Sequence, residues 1–315
     1  MRFVAAFALV SLFLAGCTQP SEEGVLDGTD AITEKPSSVS PTLDRQFDLE
    51  RRAIEGSHIS PDGRYEARHT NGRLVITSAQ GDEFDSFDTG SDWGDPPMDF
   101  SPDGRFLAVA VSDSVILYDF ATKNPRAILG QQLMNIRFSA DSAYLVGEEF
   151  IEDRSGRYVL FNVRTGQRST SPQPPTVKRD DATIWVADEL AVFDAGKHVV
   201  AAGADGYFFW STSEREVEWV PCGCQSTGAA IDRRAHRVAY ILPEGISLWE
   251  RSTRREVSRW KLPPVVQDGY ERSYAGADMA FSEDGKWLLT YFLDSGRVWS
   301  VPDGKQVGSW KGAAQ

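Results

Sequence analysis

Two patterns of apolar and polar positions recur along most of the chain, and each occurs six times. In the first, an apolar residue precedes a polar turn and an apolar strand follows, as in the segments that begin at Phe100 (FSPDGRFLAVAV) and Phe281 (FSEDGKWLLTYF). In the second, a short apolar strand ends in an aromatic residue or threonine. The polar pairs between them, such as Asn71-Gly72, suit two-residue hairpin turns. Each unit therefore predicts four antiparallel strands, which we name a, b, c and d.

The spacing of these units indicates the architecture. The b strands are apolar on successive residues, as in WLLTYF, which is typical of a sheet covered on both faces. The second pattern ends at residues 77, 118, 161, 210, 249 and 299, so the repeat advances in steps of 39 to 50 residues. Periods of about 40 to 45 residues with four strands each indicate a β-propeller. We therefore expect one all-β domain over residues 51–315, a single β-propeller of six four-stranded blades. A seventh blade, in the insertion between blades 3 and 4, is the alternative.

The turns resemble those of a known family. SPDG segments at residues 60–63 and 101–104, with the repeat length, resemble the WD40-like β-propeller family and its bacterial relatives that carry this turn. The resemblance extends over about residues 51 to 310 and implies the blade architecture. The chain departs from the eukaryotic pattern because no Gly-His pair precedes strand a, and pairs such as Tyr118-Asp119 replace the terminal Trp-Asp. The hydrogen-bonded His-Ser-Asp-Trp network of that family is therefore not expected.

The N-terminus predicts export and lipid attachment. Residues 1–16 place one arginine before an apolar run that is too short for a membrane-spanning helix of about 20 residues, so we interpret them as a signal peptide. The segment LAGC at residues 14–17 resembles the lipobox of bacterial lipoproteins, which implies that Cys17 becomes the acylated first residue. Thr18 follows where inner-membrane retention would require Asp. The resemblance therefore implies an outer-membrane lipoprotein, anchored through lipid such as palmitate and facing the periplasm. An ordinary secretory signal with a chance cysteine is the alternative.

Residues 17–50 are expected to form the acylated cysteine and a flexible tether. From Thr18 to about Arg45 the chain is rich in Ser, Thr, Pro and acidic residues with isolated apolar ones. Such a composition does not bury enough surface to offset the entropy of ordering. An additional N-terminal strand over residues 46–51 is the alternative.

Composition and charge limit the classes of partner and chemistry. The 315 residues include 33 Lys and Arg against 46 Asp and Glu, a net charge of −13, which leaves little basic surface for nucleic acid. Three cysteines and four scattered histidines exclude a dense disulfide framework and a zinc site of cysteines alone. The common catalytic and nucleotide-binding motifs do not occur. We expect no catalytic residue, no metal site and no cofactor, and favour a protein that is not an enzyme.

The longest connections predict a binding surface. In an a–b–c–d meander, the a–b and c–d turns lie on one face of the disc, and the b–c and d–a connections lie on the other. The long segments all belong to the second group: residues 88–97, 149–157, 167–190, 221–227 and 263–276. Variable loops on a rigid scaffold commonly carry binding, and residue types common in hot spots occur there. We predict that the partner-binding residues are Trp93, Trp185, Tyr270, Arg272 and Tyr274. Tolerated insertions, or aromatic residues that cap blade edges, are the alternatives.

Aspartates are concentrated near Trp93. They are Asp88, Asp92, Asp95 and Asp99, and their spacing lacks the order of a calcium-binding loop. We interpret the segment as a solvated acidic loop, with calcium binding as the alternative.

The turns of blade 5, on the opposite face, carry a basic group. Its members are Arg233, Arg234, Arg251, Arg254 and Arg255. Such a group can contact lipid phosphates or an acidic partner. The alternative is ion pairing with neighbouring blades. The acids considered for such pairs are Glu214, Glu216, Glu283 and Asp284.

Cys222 and Cys224 flank Gly223 in a d–a connection, and an exported protein meets an oxidising compartment. A disulfide between them requires a turn that brings the Cα atoms to about 4.4 to 6.8 Å, which Gly223 permits. A structural disulfide or two quiet thiols is the favoured interpretation, and redox sensing is the alternative.

Together these features predict a periplasmic, membrane-anchored propeller that binds an unidentified envelope protein through its long-loop face. An alternative from another class is a propeller enzyme or small-ligand binder, such as a metal-dependent hydrolase or a quinoprotein, with its site at the mouth of the central channel. Residues that converge there from different blades would form no motif in the sequence.

Overall fold

A computed structural model of the chain describes most of the residues that carry the repeat. These are residues 58–90, 96–149, 156–175, 187–203, 206–214, 216–224, 226–232, 234, 236–267, 270–272, 274, 277–282, 284–292 and 295–311. The predicted signal peptide, Cys17 and the tether lie outside them. No helix in the described part of the chain has the length and apolar character that crossing a membrane requires.

Each blade is a four-stranded antiparallel sheet whose strands follow one another in chain order. Blade 1 consists of β1 (His58–Ile59), β2 (Tyr65–Thr70), β3 (Arg73–Ser78) and β4 (Glu83–Asp88). Blade 2 consists of β5 (Met98–Phe100), β6 (Phe106–Val111), β7 (Ser114–Asp119) and β8 (Asn124–Leu129). Blade 3 consists of β9 (Leu133–Phe138), β10 (Tyr144–Glu149), β11 (Tyr158–Asn162) and β12 (Arg168–Thr170).

The remaining strands form three further blades and one additional hairpin. Blade 4 consists of β13 (Glu189–Phe193), β14 (His198–Gly203), β15 (Gly206–Ser211) and β16 (Val217–Pro221). Blade 5 consists of β17 (Gly228–Ile231), β18 (Arg237–Leu242), β19 (Gly245–Glu250) and β20 (Arg255–Lys261). The hairpin of β21 (Val265–Gln267) and β22 (Tyr270–Arg272) precedes blade 6. Blade 6 consists of β23 (Asp278–Phe281), β24 (Trp287–Phe292), β25 (Ser295–Ser300) and β26 (Gln306–Lys311).

The predicted all-β, six-bladed propeller is confirmed. The described residues form six four-stranded sheets, and they contain no seventh sheet of this kind. The two longest steps of the repeat contain the connections 171–188 and 262–277, the second of which holds the additional hairpin.

Apolar side chains on both faces of the blades hold neighbouring blades together. Five buried clusters join blades 1 and 2, 2 and 3, 3 and 4, 4 and 5, and 5 and 6. Between blades 2 and 3, for example, Leu117, Leu133 and Leu145 belong to one cluster. Full burial of a leucine side chain stabilises the fold by about 1.5 to 3 kcal/mol. Contacts on both faces explain why most b strands are apolar on successive residues.

Blade 1 is an exception to this pattern. Its b strand alternates, because Ala67 is buried in the cluster with blade 2 whereas the Arg68 side chain is 66% exposed. Arg68 forms an ion pair of 2.6 Å with Glu66 on the same face. None of the five clusters of described residues joins blade 6 to blade 1. Blade 1 therefore has a polar b-strand face where the other blades have a predominantly apolar one.

The SPDG-type a–b turn is a compact hydrogen-bonded unit. In blade 2 the hydroxyl of Ser101 donates to the carboxylate of Asp103 at 2.6 Å and accepts the backbone N–H of Phe106 at 2.8 Å. Gly104 has the positive φ of 68° that this turn requires. The equivalent serine bonds occur in blades 1, 3 and 6. In blade 5 Asp232 replaces the serine, and its carboxylate accepts three backbone N–H groups. These bonds explain why this short polar segment recurs.

Blade 3 departs from this turn because Ser142 has a φ of 59° where three other turns have glycine. Its hydroxyl accepts the backbone N–H of Asp103 in blade 2 at 3.0 Å. We expect Ser142→Ala to lower the free energy of unfolding by about 1 to 2 kcal/mol, because alanine keeps the unfavourable φ and loses the inter-blade bond. Ser142→Gly should cost less, since glycine adopts this φ without strain. Urea unfolding measures both variants, and a Ser142→Ala variant as stable as the wild type contradicts the prediction.

Candidate functional site

The strand bounds divide the connections between the two faces of the disc. The a–b and c–d turns all have four or five residues and lie on one face, which we call the turn face. The b–c and d–a connections lie on the other, which we call the long-loop face. Its longest connections span residues 89–97, 150–157, 171–188, 222–227 and 262–277.

The five predicted partner-binding residues do not form one described surface. Trp93 and Trp185 lie outside the described residues. Tyr270 and Arg272 are the first and last residues of strand β22. Tyr274 is only 4% exposed and packs in the cluster between blades 5 and 6. Its hydroxyl donates to the carbonyl of Pro263 at 2.5 Å and accepts a hydrogen bond from Arg297. The expectation that Tyr274 lies on the surface is therefore wrong, because these contacts draw its ring into the core.

The prediction of a solvated acidic loop is wrong for one of its four aspartates, Asp99. Asp99 is 7% exposed, and its carboxylate accepts the backbone N–H of Phe138 at 2.6 Å. The guanidinium group of Arg137 forms ion pairs with the carboxylates of Asp99, at 3.5 Å between Nη1 and Oδ1, and of Glu189, at 2.5 Å between Nε and Oε1. These ion pairs link the first strands of blades 2, 3 and 4. Asp99 is thus a buried link between blades and not part of a solvated loop. Asp88 is exposed, whereas Asp92 and Asp95 lie outside the described residues. In the described part of the chain, no three His, Cys, Asp or Glu side chains are grouped as metal ligands.

Two arginines of the predicted basic group contact blade 4. Arg254 forms an ion pair of 2.6 Å with Glu218, an acid that the sequence did not single out. The Arg251 guanidinium lies over the Phe193 ring at 4.3 Å. Such cation–π contacts contribute about 0.5 to 1 kcal/mol at exposed sites. Arg234 and Arg255 are exposed, and Arg233 lies outside the described residues.

The sulfur atoms of Cys222 and Cys224 are bonded, and their Cα atoms are 5.1 Å apart. Gly223 between them has a φ of 61°. Cys224 is 8% exposed and belongs to the apolar cluster between blades 4 and 5. In the structure this bond is therefore part of the packing between two blades.

A buried acid occurs on the long-loop side of the interface between blades 3 and 4. Glu148 is 2% exposed, and its Oε2 accepts the backbone N–H of Ala187 at 3.0 Å. Among the described residues its Oε1 has no hydrogen-bond partner, and neither has the hydroxyl of the buried Tyr158, its neighbour across the strand pair. Burial raises the pKa of Glu148 to about 7; the charge of Asp188 acts in the same direction, and the bond from Ala187 opposes it. Burial, and then the charge of Glu148, raises the pKa of Tyr158.

The sequence contains a signal for this buried acid that its apolar surroundings obscure. Glu148 is the fifth residue of β10, YLVGEE. The fifth residues of the corresponding strands in blades 2, 4 and 5 are Ala110, Ala202 and Ile241. A carboxylate at a position that is apolar in three other blades indicates either a local function or a local cost in stability.

A cleft of about 760 Å³ lies between blades 2 and 3 on the turn face. Its charged lining comprises Arg105, Arg126, Arg164, Asp103, Asp119 and Asp141, and its aromatic lining comprises Phe106 and Tyr144. Partial burial raises the pKa of Asp119, but hydrogen bonds from Arg105 and from the backbone of Ala121 outweigh it and hold that pKa below its usual range. Sequence reasoning missed the cleft because Arg126 and Arg164 belong to turns and strands of different blades.

Comparisons with known proteins support the fold alone. No protein-family model matches the chain, and no curated protein matches it. The chain resembles 1215 chains of solved structures. One of them is hydrazine synthase from Kuenenia stuttgartiensis, with a TM-score of 0.53 and 15% identity over 78% of this chain and 75% of that chain. The resemblance to the WD40-like family stays a prediction, whereas the propeller is observed.

Proposed function

We propose that this protein is a membrane-anchored periplasmic propeller that binds another envelope protein and acts as a scaffold. The proposal rests on one observation: the long connections lie on only one of the two faces of the disc. All a–b and c–d turns have four or five residues, whereas the connections 171–188 and 262–277 both belong to the other face. Long connections on a rigid body are the usual place of binding residues.

The connection between blades 5 and 6 has backbone structure of its own. Strands β21 and β22 pair antiparallel, with Val265 opposite Arg272 and Gln267 opposite Tyr270. A loop that is hydrogen-bonded before it meets a partner loses less conformational entropy on binding than an open loop. This pairing supports the choice of Tyr270 and Arg272 as contact residues.

The lipid anchor of the proposal rests on the segment LAGC at residues 14–17 and on the apolar run before it. The acidic composition of residues 18–45 supports a tether that keeps the propeller away from the membrane surface.

Affinity capture from cross-linked cell envelopes tests the binding face. We expect Trp93→Ala and Trp185→Ala to reduce recovery of at least one partner by at least tenfold, since truncating an aromatic hot spot commonly costs 2 kcal/mol or more. Val257→Ala is the matched control, because Val257 is 49% exposed on β20, the last strand of blade 5. An identical partner list for the wild type and both tryptophan variants contradicts the role of the long-loop face.

The alternative, a propeller enzyme or small-ligand binder, places its site at the channel mouth. On the first strands of blades 2 to 4, Arg137 forms ion pairs with both Asp99 and Glu189. Metal analysis, a visible absorption spectrum and thermal melting with a chelator separate the two functions. A chromophore, or a melting temperature that falls on chelation, would favour the alternative.

A further inference from the structure

We infer that the cleft between blades 2 and 3 binds an acidic segment of a partner protein. The inference rests on the scaffold function proposed above, but it concerns the turn face, opposite the long connections. It adds a second contact surface and states the chemistry of what that surface binds.

The first argument is the difference between the carboxylates and the arginines of the cleft. Asp103 accepts hydrogen bonds from Ser101 and from the backbone of Arg105, and Asp141 has the equivalent bonds in blade 3. Asp119 accepts from Arg105 at 3.1 Å and from the backbone of Ala121. The three acids of the cleft are thus already hydrogen-bonded by the turns of their own blades.

Two arginines of the cleft, in contrast, have N–H donors without an acceptor among the described residues. Arg126 is held across the interface by one hydrogen bond of 3.4 Å to the carbonyl of Val163 in blade 3. The Arg164 side chain makes no hydrogen bond or ion pair with the described residues, and neither arginine has a carboxylate partner among them. A guanidinium group has five N–H donors in a planar fork that matches a carboxylate. The guanidinium donors that remain available in the cleft therefore suit an anion.

The shape and walls of the cleft favour a protein segment over an isolated anion. Its volume of about 760 Å³ lies in the range of pockets for drug-sized ligands, so it has room for a few side chains of a peptide. The Arg105 guanidinium carbon lies 4.7 Å from the centre of the Phe106 ring. Both Phe106 and Tyr144 are half-buried. Carboxylate side chains can pair with the arginines while neighbouring apolar side chains contact these rings. A concave site between two blades fits a chain segment better than a flat lipid surface.

The acidic body does not prevent this binding. The whole chain has a net charge of −13, but charges farther apart than about 8 Å are largely screened at physiological ionic strength. A partner carboxylate inside the cleft therefore interacts mainly with the charges of the lining, where the three aspartates are already hydrogen-bonded and Arg126 and Arg164 have no carboxylate partner among the described residues.

Fluorescence anisotropy tests the inference with the full chain. The probe is a fluorescein-labelled peptide of alternating glutamate and leucine, ELELEL, and its counterpart QLQLQL lacks the charges. We expect ELELEL to bind the wild type at least tenfold more tightly than QLQLQL. Arg126→Ala and Arg164→Ala should each weaken ELELEL binding about tenfold. Arg255→Ala, which removes an exposed arginine from the turn face of blade 5, should change it less than twofold.

Several results would overturn the inference. They are no binding of ELELEL at 100 mM salt, an equal loss in Arg255→Ala, or displacement by millimolar inorganic phosphate, which indicates a site for free anions. Arginine-dependent binding to phosphatidylglycerol vesicles without peptide binding indicates a membrane contact instead. Circular dichroism confirms that the variants are folded. If these peptide results are negative while Trp93→Ala still changes the partner list, the cleft is excluded and the scaffold function stands.

Discussion

Replacement of Cys17 by serine is expected to move the protein from the membrane fraction to the soluble periplasmic fraction. The proposed anchor consists of acyl chains on this cysteine, and each CH₂ buried in the bilayer contributes about 0.8 kcal/mol. One chain binds only marginally, whereas several together hold a protein firmly. Fractionation after a carbonate wash, with labelling by radioactive palmitate, measures the change.

Two matched variants sharpen this experiment. The double variant Cys222→Ser and Cys224→Ser removes the other cysteines of the chain and should leave both fractionation and labelling unchanged. Thr18→Asp places the retention residue after the cysteine and should shift the protein from the outer to the inner membrane. If the Cys17→Ser protein stays membrane-bound after the wash, the lipid anchor is wrong, and the apolar N-terminal run or a partner holds it there.

Replacement of Glu148 by glutamine is expected to stabilise the protein in a pH-dependent manner. Burial raises the pKa of Glu148 from 4.5 to about 7, so the folded state favours the protonated form. The contribution of Glu148 to stability is therefore greatest below pH 4.5 and falls as the pH rises to about 7, because the unfolded chain loses this proton first. Above pH 7 the cost of the buried charge is constant, at about 3 kcal/mol by linkage. Glutamine removes that cost and keeps an oxygen for the Ala187 N–H.

Urea unfolding at pH 5 and pH 8 tests this prediction. The gain in unfolding free energy should approach about 3 kcal/mol at pH 8 and be below about 1 kcal/mol at pH 5. Glu149→Gln is the matched control on the next residue, because Glu149 forms an ion pair of 3.1 Å with Arg157 and should bring no gain. A gain for Glu148→Gln that is equal at both pH values would falsify the assignment of a buried, titrating carboxylate.

The parts of the fold that depend on local contacts could be predicted from the sequence. The bonds of the SPDG turn join residues at most five apart, as between Ser101 and Phe106, so the motif is visible in a short segment. The hairpin pairs and the apolar b strands are equally local, and six repeats of them predicted six blades. The pattern did not reveal that blade 1 is different, although its b strand, YEARHT, alternates in polarity.

Individual site residues were predicted less well, because their surroundings come from other blades. Tyr274 has a residue type common in binding surfaces, yet Arg297 of blade 6 and the carbonyl of Pro263 hold it in the core. Asp99 lies near other aspartates in the sequence, but Arg137 of blade 3 neutralises it. Residue type and spacing carry no information on these distant neighbours.

The sequence by itself determined the repeat, the turn chemistry, the predicted lipid attachment and the face on which the long connections lie. Each depends on residues within one strand, one turn or one short segment, where backbone geometry and residue type decide the outcome. Only the tertiary structure decided which charges pair and which stay open. The packing of blade on blade buries Glu148, joins Arg254 to Glu218 and brings Arg126 beside Arg164. These contacts join residues about one blade apart in the chain, and their energies depend on burial that only the assembled propeller creates.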